Sequence, residues 1–214
     1  MTVETKICGL VRPDDARLAD QAGADYLGVV FAPSPRRRTE EQARRVWEGT
    51  TARRAGVFLD SKKDDLVRLA DTLELAVVQL HGTESPEHCR DIASAGAWAV
   101  WKALKVVPGA SLDEMLPRYA GAVDGILLEG WSDSGHGGVG ASFDWSLVAD
   151  MRNRWPESLR FILAGGLNAQ NVRRAIDQAL PDVVDVSSGV EQAMGMKDAD
   201  AVQAFIAAAK RERE

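Results

Sequence analysis

The chain has 214 residues, of which 45% are hydrophobic and 27% are charged, and its formal net charge is −6. This length can bury one sizeable core, so we expect a single domain covering residues 1–214. The negative charge argues against nucleic acid and anionic membranes as partners, and no apolar run reaches the roughly 18 residues of a membrane span.

The cysteines and histidines do not form the patterns of a disulfide framework or a metal centre. Cys8 and Cys89 lack metal-type spacing, and His81, His88 and His136 are scattered along the chain. The N-terminus has no basic segment followed by an apolar one, as a secretion signal would. We therefore expect a cytoplasmic protein without a bound metal.

Strand-like and helix-like segments alternate along the chain, which is typical of parallel βα units. The predicted strands cover residues 5–10, 26–31, 55–59, 76–80, 98–104 and 125–128, and two more lie within 161–189. The predicted helices cover residues 13–22, 63–73, 112–119, 143–155 and 199–210, and three others begin after Thr39, after Ser85 and between the last two strands. Eight such units predict an α/β fold, a single (β/α)8 TIM barrel. A doubly wound sheet is less favoured because no GxGxxG follows the first strand.

Three local signals qualify this pattern. The segment 39–42 reads TEEQ, which resembles a capping box at the start of the second helix. Pro117 is expected to break the weaker helix at 112–119. The glycine-rich segment 130–142 is predicted to be a loop, and it could act as a lid that excludes water.

Two small-residue turns end the seventh and eighth predicted strands. They contain Gly165 and Gly166 in one case, and Ser187, Ser188 and Gly189 in the other. Such turns can simply allow the chain to bend, but two of them side by side expose backbone N–H groups near helix starts and can hold a phosphate. In TIM barrels the phosphate site commonly follows strands 7 and 8, so we predict one here.

The first strand carries a possible base. Lys6 and Cys8 lie on one face of it because side chains alternate along a strand. A lone cysteine is more often a small buried apolar residue, yet a nearby cation favours the reactive thiolate. Asp185 lies on the eighth strand, next to the first in a closed barrel, so we expect it to pair with Lys6.

Other polar side chains follow the remaining strands. Glu129 ends an apolar strand and is either a solvated strand end or a general acid whose pKa is raised by burial. Arg36 belongs to a basic loop and could hold a substrate carboxylate through two hydrogen bonds. Gln79 and His81 end the fourth strand and are candidates for substrate binding; the alternative for His81 is that it completes a turn.

Taken together, these segments resemble the phosphoribosylanthranilate isomerase family in the right order over nearly the whole chain. The matching motifs are KICGL (6–10), GADYLGVVF (23–31), SPR (34–36), VVQLHG (77–82), ILLE (126–129), GGVG (137–140), FDW (143–145), LAGGLN (163–168) and VDVSSGVE (184–191). Each motif is weak alone, but KICG, QLHG and DVSSGVE together are highly specific.

The resemblance implies an isomerase of tryptophan biosynthesis with a TIM-barrel fold. Its substrate would be N-(5′-phosphoribosyl)anthranilate, which an Amadori rearrangement converts into 1-(2-carboxyphenylamino)-1-deoxyribulose 5-phosphate without metal or organic cofactor. The resemblance assigns Cys8 as general base and Arg36 as ligand of the anthranilate carboxylate, and it assigns phosphate binding to the two turns. It leaves monomer and homodimer open.

Two departures from the family pattern keep alternatives open. The family's general acid is usually an aspartate, whereas Glu129 stands here, with Asp133 as a weak substitute. Ala141 and Ser142 stand where a basic residue is often found. A phosphometabolite-binding barrel without catalysis is therefore one alternative. The isomerase of a related phosphosugar is another, disfavoured because its aspartates on strands 1 and 5 are absent.

Overall fold

The computed structural model describes residues 2–106, 112–130 and 154–211, together with Trp145, Val148 and Arg152. Eight parallel strands close into a barrel in chain order, so the predicted TIM barrel is confirmed. The strands are β1 (Glu4–Ile7), β2 (Tyr26–Val30), β3 (Arg53–Phe58), β4 (Val77–Leu80), β5 (Ala99–Val106), β6 (Gly125–Gly130), β7 (Arg160–Leu163) and β8 (Val183–Val186).

Helices connect these strands on the outside of the barrel. The α-helices of the described residues are α1 (Pro13–Gln21), α2 (Glu40–Val46), α3 (Lys63–Thr72), α4 (Pro86–Ala93), α5 (Leu112–Tyr119), α6 (Val172–Ala179) and α7 (Ala199–Lys210). Within the same residues, no helix is long and apolar enough to cross a bilayer. Of the predicted loop at 130–142, Gly130 is the last residue of β6 and the rest lies outside the described residues, as does most of the predicted helix at 143–155.

The apolar core has two parts. The larger part lies between the strands and the helices, and the smaller one fills the inside of the barrel. In the smaller one, Tyr26 and Trp101 meet edge to face with ring centroids 4.9 Å apart. The barrel is therefore a filled core rather than a channel, and space for a substrate remains only at its ends.

Several helix starts follow the expected capping chemistry. Thr39 and Gln42 form the predicted capping box, and the Ser85 side chain accepts a hydrogen bond from the backbone of His88. Asp198, which the sequence did not single out, caps α7 in the same way. Pro117 does not break α5: the helix continues to Tyr119, with Leu116 buried against the barrel. The predicted break at Pro117 is therefore wrong.

A repeated aspartate organises the opposite, N-terminal end of the barrel. Asp25, Asp124 and Asp182 each precede an even-numbered strand, and each accepts a hydrogen bond from a backbone N–H of the strand before it, at 2.7–2.8 Å. Since a buried N–H without a partner is costly, each aspartate satisfies a donor where a strand begins. The sequence showed no clear internal repeat, because only this single aspartate recurs from one pair of strands to the next.

Beyond β8 the chain forms an element that the sequence did not predict. A short 3-10 turn (Ser188–Val190) leads into a hairpin of β9 (Glu191–Ala193) and β10 (Met196–Lys197). The backbone N–H of Lys197 is bonded to the buried Asp15 of α1. This hairpin therefore connects the end of β8 with the first βα unit.

The seam between β1 and β8 closes the barrel. Lys6 and Asp185 are register partners there, and the ammonium of Lys6 donates to Asp185 at 3.0 Å. The Lys6 side chain is fully buried. The predicted pairing of these residues is confirmed, and it provides the carboxylate that a buried ammonium requires.

We expect Asp185→Asn to lower the free energy of unfolding by about 3–5 kcal/mol, because a buried ammonium would lose its carboxylate. Urea unfolding measures this change. Glu41→Gln, which breaks an exposed pair with Arg45 on α2, is the control and should cost less than about 0.5 kcal/mol. Equal losses in the two variants would contradict a structural role for the seam pair.

Candidate active site

Cys8 follows the last residue of β1 at the C-terminal end of the barrel, and it is buried. Its backbone N–H is bonded to Val186 of β8 at 2.8 Å. Gly28 of β2 leaves room for the sulfur, because a Cβ at that position would lie 2.9 Å from Sγ. The thiol is therefore held at a fixed place between the first, second and last strands.

Burial raises the pKa of the Cys8 thiol, and the carboxylate of Asp185 raises it further. Lys6 acts in the opposite direction through its charge and a hydrogen bond to the sulfur, and Lys197 adds a weaker contribution of the same sign. The net effect is a raised pKa. Lys6 and Lys197 therefore offset part of the cost of a buried thiolate.

A second group of side chains lies at the ends of β4 and β6. Nε2 of His81 is 3.0 Å from Oε1 of Glu129, and Nε2 of Gln79 is 2.9 Å from Nδ1 of the same histidine. With this orientation of the amide, Gln79 donates to His81, and neutral His81 donates to Glu129. Gln79 was predicted to bind substrate, and its hydrogen bond in this structure is with His81.

Glu129 is buried, so it is not the solvated strand end that was one interpretation of the sequence. Burial raises the pKa of Glu129, but the hydrogen bond from His81 and the charges of Lys105 and Lys102 together outweigh it. The net pKa is lowered. The carboxylate form is thus favoured, whereas a general acid must carry a proton.

The turns after β7 and β8 lie against each other. Gly165 and Gly166 have φ angles of +88° and +64°, which side chains other than glycine rarely adopt. A Cβ at Gly189 would lie 1.8 Å from the carbonyl oxygen of Leu167, so the backbones of the two turns are in direct contact. Asn171, just before α6, donates to the carbonyl of Gly166 and holds the first turn against the start of that helix.

Arg36 lies in the loop between β2 and α2 and makes a two-pronged ion pair with Glu191. Its Nε and Nη2 donate to the two carboxylate oxygens at 2.7 and 2.5 Å. Lys197 donates to the same carboxylate at 3.1 Å, and also to the carbonyl oxygens of Cys8 and Ser187 at 2.7 and 2.9 Å. The structure therefore connects Arg36 to both the cysteine and the second turn.

Among the residues that the structure describes, no group of three or more histidine, cysteine, aspartate or glutamate side chains could hold a metal ion. Asp133, Ala141 and Ser142 lie outside the described residues.

Comparison with known proteins identifies the family of this fold and site. A family model described as N-(5′phosphoribosyl)anthranilate (PRA) isomerase matches residues 5–208. The chain belongs to this family.

Individual relatives agree with the family match. The N-(5′-phosphoribosyl)anthranilate isomerase of Ralstonia nicotianae is 42% identical over 214 residues, which cover 96% of this chain and 91% of the relative. The crystal structure of phosphoribosyl anthranilate isomerase from Thermotoga maritima superimposes with a TM-score of 0.85 at 40% identity, covering 97% of this chain and 98% of the other. A structure of the same type of enzyme in complex with reduced 1-(o-carboxyphenylamino)-1-deoxyribulose 5-phosphate has a TM-score of 0.81 at 38% identity, with coverage of 97% and 98%.

Family membership makes the chain an enzyme that catalyses an intramolecular isomerisation in tryptophan biosynthesis. The sequence-based assignment to the phosphoribosylanthranilate isomerases is therefore confirmed, and the reading as a barrel without catalysis is not supported.

Two site residues were missed by the sequence analysis, namely Glu191 and Lys197. Glu191 is the last residue of the VDVSSGVE motif, in which only the serines and the glycine were assigned to phosphate binding. Lys197 lies in a segment for which no element was predicted, and its burial depends on contacts with Cys8, Ser187 and Asp15 that are distant in sequence. Only the charge of Glu191 close to the predicted phosphate turn could have drawn attention to the pair.

We expect Gly189→Ala to destabilise the protein by about 3 kcal/mol, since the new methyl group would displace the backbone of Leu167. Gly121→Ala is a matched control. Gly121 differs from Gly189 in its positive φ of +73°, but a Cβ at Gly121 would meet no atom within 4 Å, so only the backbone strain of about 1–2 kcal/mol is expected there. Urea unfolding of both variants tests the contact between the turns, and a smaller loss at Gly189 than at Gly121 would argue against it.

Proposed function

We propose that the chain rearranges N-(5′-phosphoribosyl)anthranilate with Cys8 as general base and Glu129 as general acid. The observation that carries this proposal is their common location at the C-terminal end of the barrel, Cys8 after β1 and Glu129 in β6. Each has a partner that lowers its pKa: Lys6 acts on the thiol and His81 on the carboxyl. Active sites of TIM barrels are built at this end.

The two charged ends of the substrate fit two different parts of the site. The contacting turns at Gly165–Gly166 and Ser187–Gly189 supply small residues near the start of α6, an arrangement that suits a phosphate. Arg36 suits the anthranilate carboxylate because a guanidinium can bind it through two hydrogen bonds. The relative that binds a reduced carboxyphenylamino-deoxyribulose phosphate supports a substrate of this class.

The proposed reaction consists of proton transfers. Glu129 gives a proton to the ribose ring oxygen, the bond from that oxygen to C1′ breaks, and a protonated Schiff base forms. The Cys8 thiolate then removes the proton from C2′, which gives an enolamine. This enolamine takes up a proton at C1′ and loses one from the C2′ hydroxyl to become the ketone, so substrate and product are isomers and no redox partner is needed.

We expect Cys8→Ser and Glu129→Gln each to lower kcat by about 10²–10⁴-fold, the usual contribution of a positioned acid or base. Loss of substrate fluorescence measures turnover of freshly made phosphoribosylanthranilate. Cys89→Ser is the matched control, because Cys89 is also buried but lies within α4. Equal effects of the two serine variants, or a wild-type protein that binds a product analogue without turnover, would refute the proposed roles.

Glu129→Asp is expected to lower kcat by about 10²-fold, although aspartate is the family's usual acid. The shorter side chain would lose the 3.0 Å contact with His81 and would move its carboxyl by more than 1 Å, a displacement that can cost this much. The same fluorescence assay decides. A faster aspartate variant would show that the backbone of β6 is placed for aspartate and that the glutamate lowers kcat.

The pKa directions also predict a pH profile. The pKa of Glu129 lies below its ordinary 4.5 and that of Cys8 above its ordinary 9.0, so the active form, protonated acid with thiolate, is a small and constant fraction of the free enzyme between them. That fraction falls below the pKa of Glu129 and above that of Cys8. We expect kcat/KM to be constant from about pH 7, above the phosphate pKa of about 6, up to pH 9.0. A rising limb within this range would show that Cys8 titrates there and would contradict the raised pKa.

A further inference from the structure

We propose that Glu191 and Lys197 are positioning residues that hold Arg36 for the substrate carboxylate and determine the preference for carboxylated substrates. This inference rests on the proposed function, because it assigns a role to two groups around the arginine that binds anthranilate. We call Arg36, Glu191 and Lys197 the carboxylate clamp.

The geometry of the ion pair determines which part of the guanidinium is left for a ligand. Glu191 bonds Nε and Nη2, which form one side of the planar group. A guanidinium has five N–H donors in a rigid fork, so the edge formed by Nη1 and the second hydrogen of Nη2 remains for another carboxylate. Glu191 therefore orients Arg36 and still leaves it a two-pronged binding edge.

Lys197 supplies the second half of the clamp. Its ammonium has three hydrogens and meets three acceptors, a carboxylate oxygen of Glu191 and the carbonyl oxygens of Cys8 and Ser187. The side chain is fully buried, so these acceptors replace water. One ammonium thus fixes the distances between the base, the phosphate turn and the group that orients Arg36.

The charge of the clamp favours one anionic ligand. An arginine paired with a glutamate has no net charge and would attract a carboxylate weakly, whereas Lys197 in its ammonium form gives the three side chains a net charge of +1. Burial lowers the pKa of Lys197, and the charge and hydrogen bond of Glu191 oppose this effect. Burial raises the pKa of Glu191, but the hydrogen bonds from Arg36 and the charge of Lys197 outweigh it, and the net pKa is lowered. Glu191 therefore stays a carboxylate while it orients Arg36.

Two substrates that differ only in the carboxylate test this proposal. The natural substrate is compared with the same phosphoribosylamine made from aniline, which lacks the group that Arg36 would bind. We expect Glu191→Gln to lower kcat/KM for the carboxylated substrate by about 10–100-fold, mainly through KM, and to leave the aniline substrate nearly unchanged. Lys197→Met removes the net positive charge and should lower the ratio of the two kcat/KM values in the same direction, on top of a loss on both substrates, because Lys197 also holds the carbonyls of Cys8 and Ser187.

The Glu191→Gln result separates positioning from simple charge. Removal of the glutamate makes the clamp more positive, so tighter binding of the carboxylated substrate would overturn the proposal, as would equal losses on both substrates. On an Arg36→Met background, Glu191→Gln should change the ratio of the two kcat/KM values no further, since its effect acts through Arg36. A further drop of that ratio would also contradict it.

A control variant accounts for general damage. Glu84→Gln breaks another buried ion pair, with Lys102 at 3.1 Å, and should affect both substrates equally. If Glu191→Gln does not fold, Glu191→Asp replaces it. This variant keeps the charge but reaches only one guanidinium nitrogen, so kcat/KM should again fall for the carboxylated substrate only, and by a smaller factor. If wild type does not turn over either substrate, the proposed function fails, and the clamp is tested by calorimetry with the reduced product and its analogue without the carboxylate.

Discussion

The burial of lysine ammonium groups is the constraint on which this barrel and its site depend. Lys6, Lys102 and Lys197 are each at most 2% exposed, and a buried ammonium is tolerated only when acceptors surround it. Each of the three has a carboxylate partner at 3.0–3.1 Å. These partners are Asp185, Glu84 and Glu191. Because removal of one partner leaves an uncompensated charge, the pairs fix the elements that carry them.

These ammonium groups also determine the shape of the catalytic end. Lys102 donates to the carbonyl oxygens of Leu80 and Gly82, on both sides of His81, and to that of Ala103 on β5. Lys197 does the same for the carbonyls of Cys8 and Ser187. Carbonyls at strand ends would otherwise need water or a ligand as partner. The lysines thus hold the site residues in place through hydrogen bonds within the protein, which is the preorganisation that proton transfer requires.

The sequence predicted the barrel because each strand is a short apolar run followed by a turn, a signal that depends on neighbouring residues. The capping box at Thr39 and the strand-end positions of Cys8 and Glu129 were also predictable, because they too depend only on neighbouring residues. The clamp could not be predicted, since Glu191 contacts Arg36 across 155 positions and Lys197 contacts Cys8 across 189. Pro117 shows the converse error: a local rule predicted a break, but burial of Leu116 keeps the helix in place.

The glutamate at position 129, where the resemblance to the family implies an aspartate, is understandable when His81 and Gln79 are considered with it. The longer side chain of glutamate reaches His81, and a hydrogen bond to that residue fixes the position of the carboxyl.

The amide of Gln79 can adopt two orientations. In the orientation described, Gln79 donates to Nδ1 of His81, its buried Oε1 has no partner within the described residues, and Glu129 is a carboxylate. Rotation of the Gln79 amide by 180° would let Oε1 accept from Nδ1–H, and Nε2 would then accept a proton from Glu129. Either orientation leaves one end of the amide without a partner, so neither has a clear advantage in hydrogen bonding. The same three side chains therefore accommodate both protonation states of Glu129, which is what the proposed role of this carboxyl as general acid requires, given its lowered pKa.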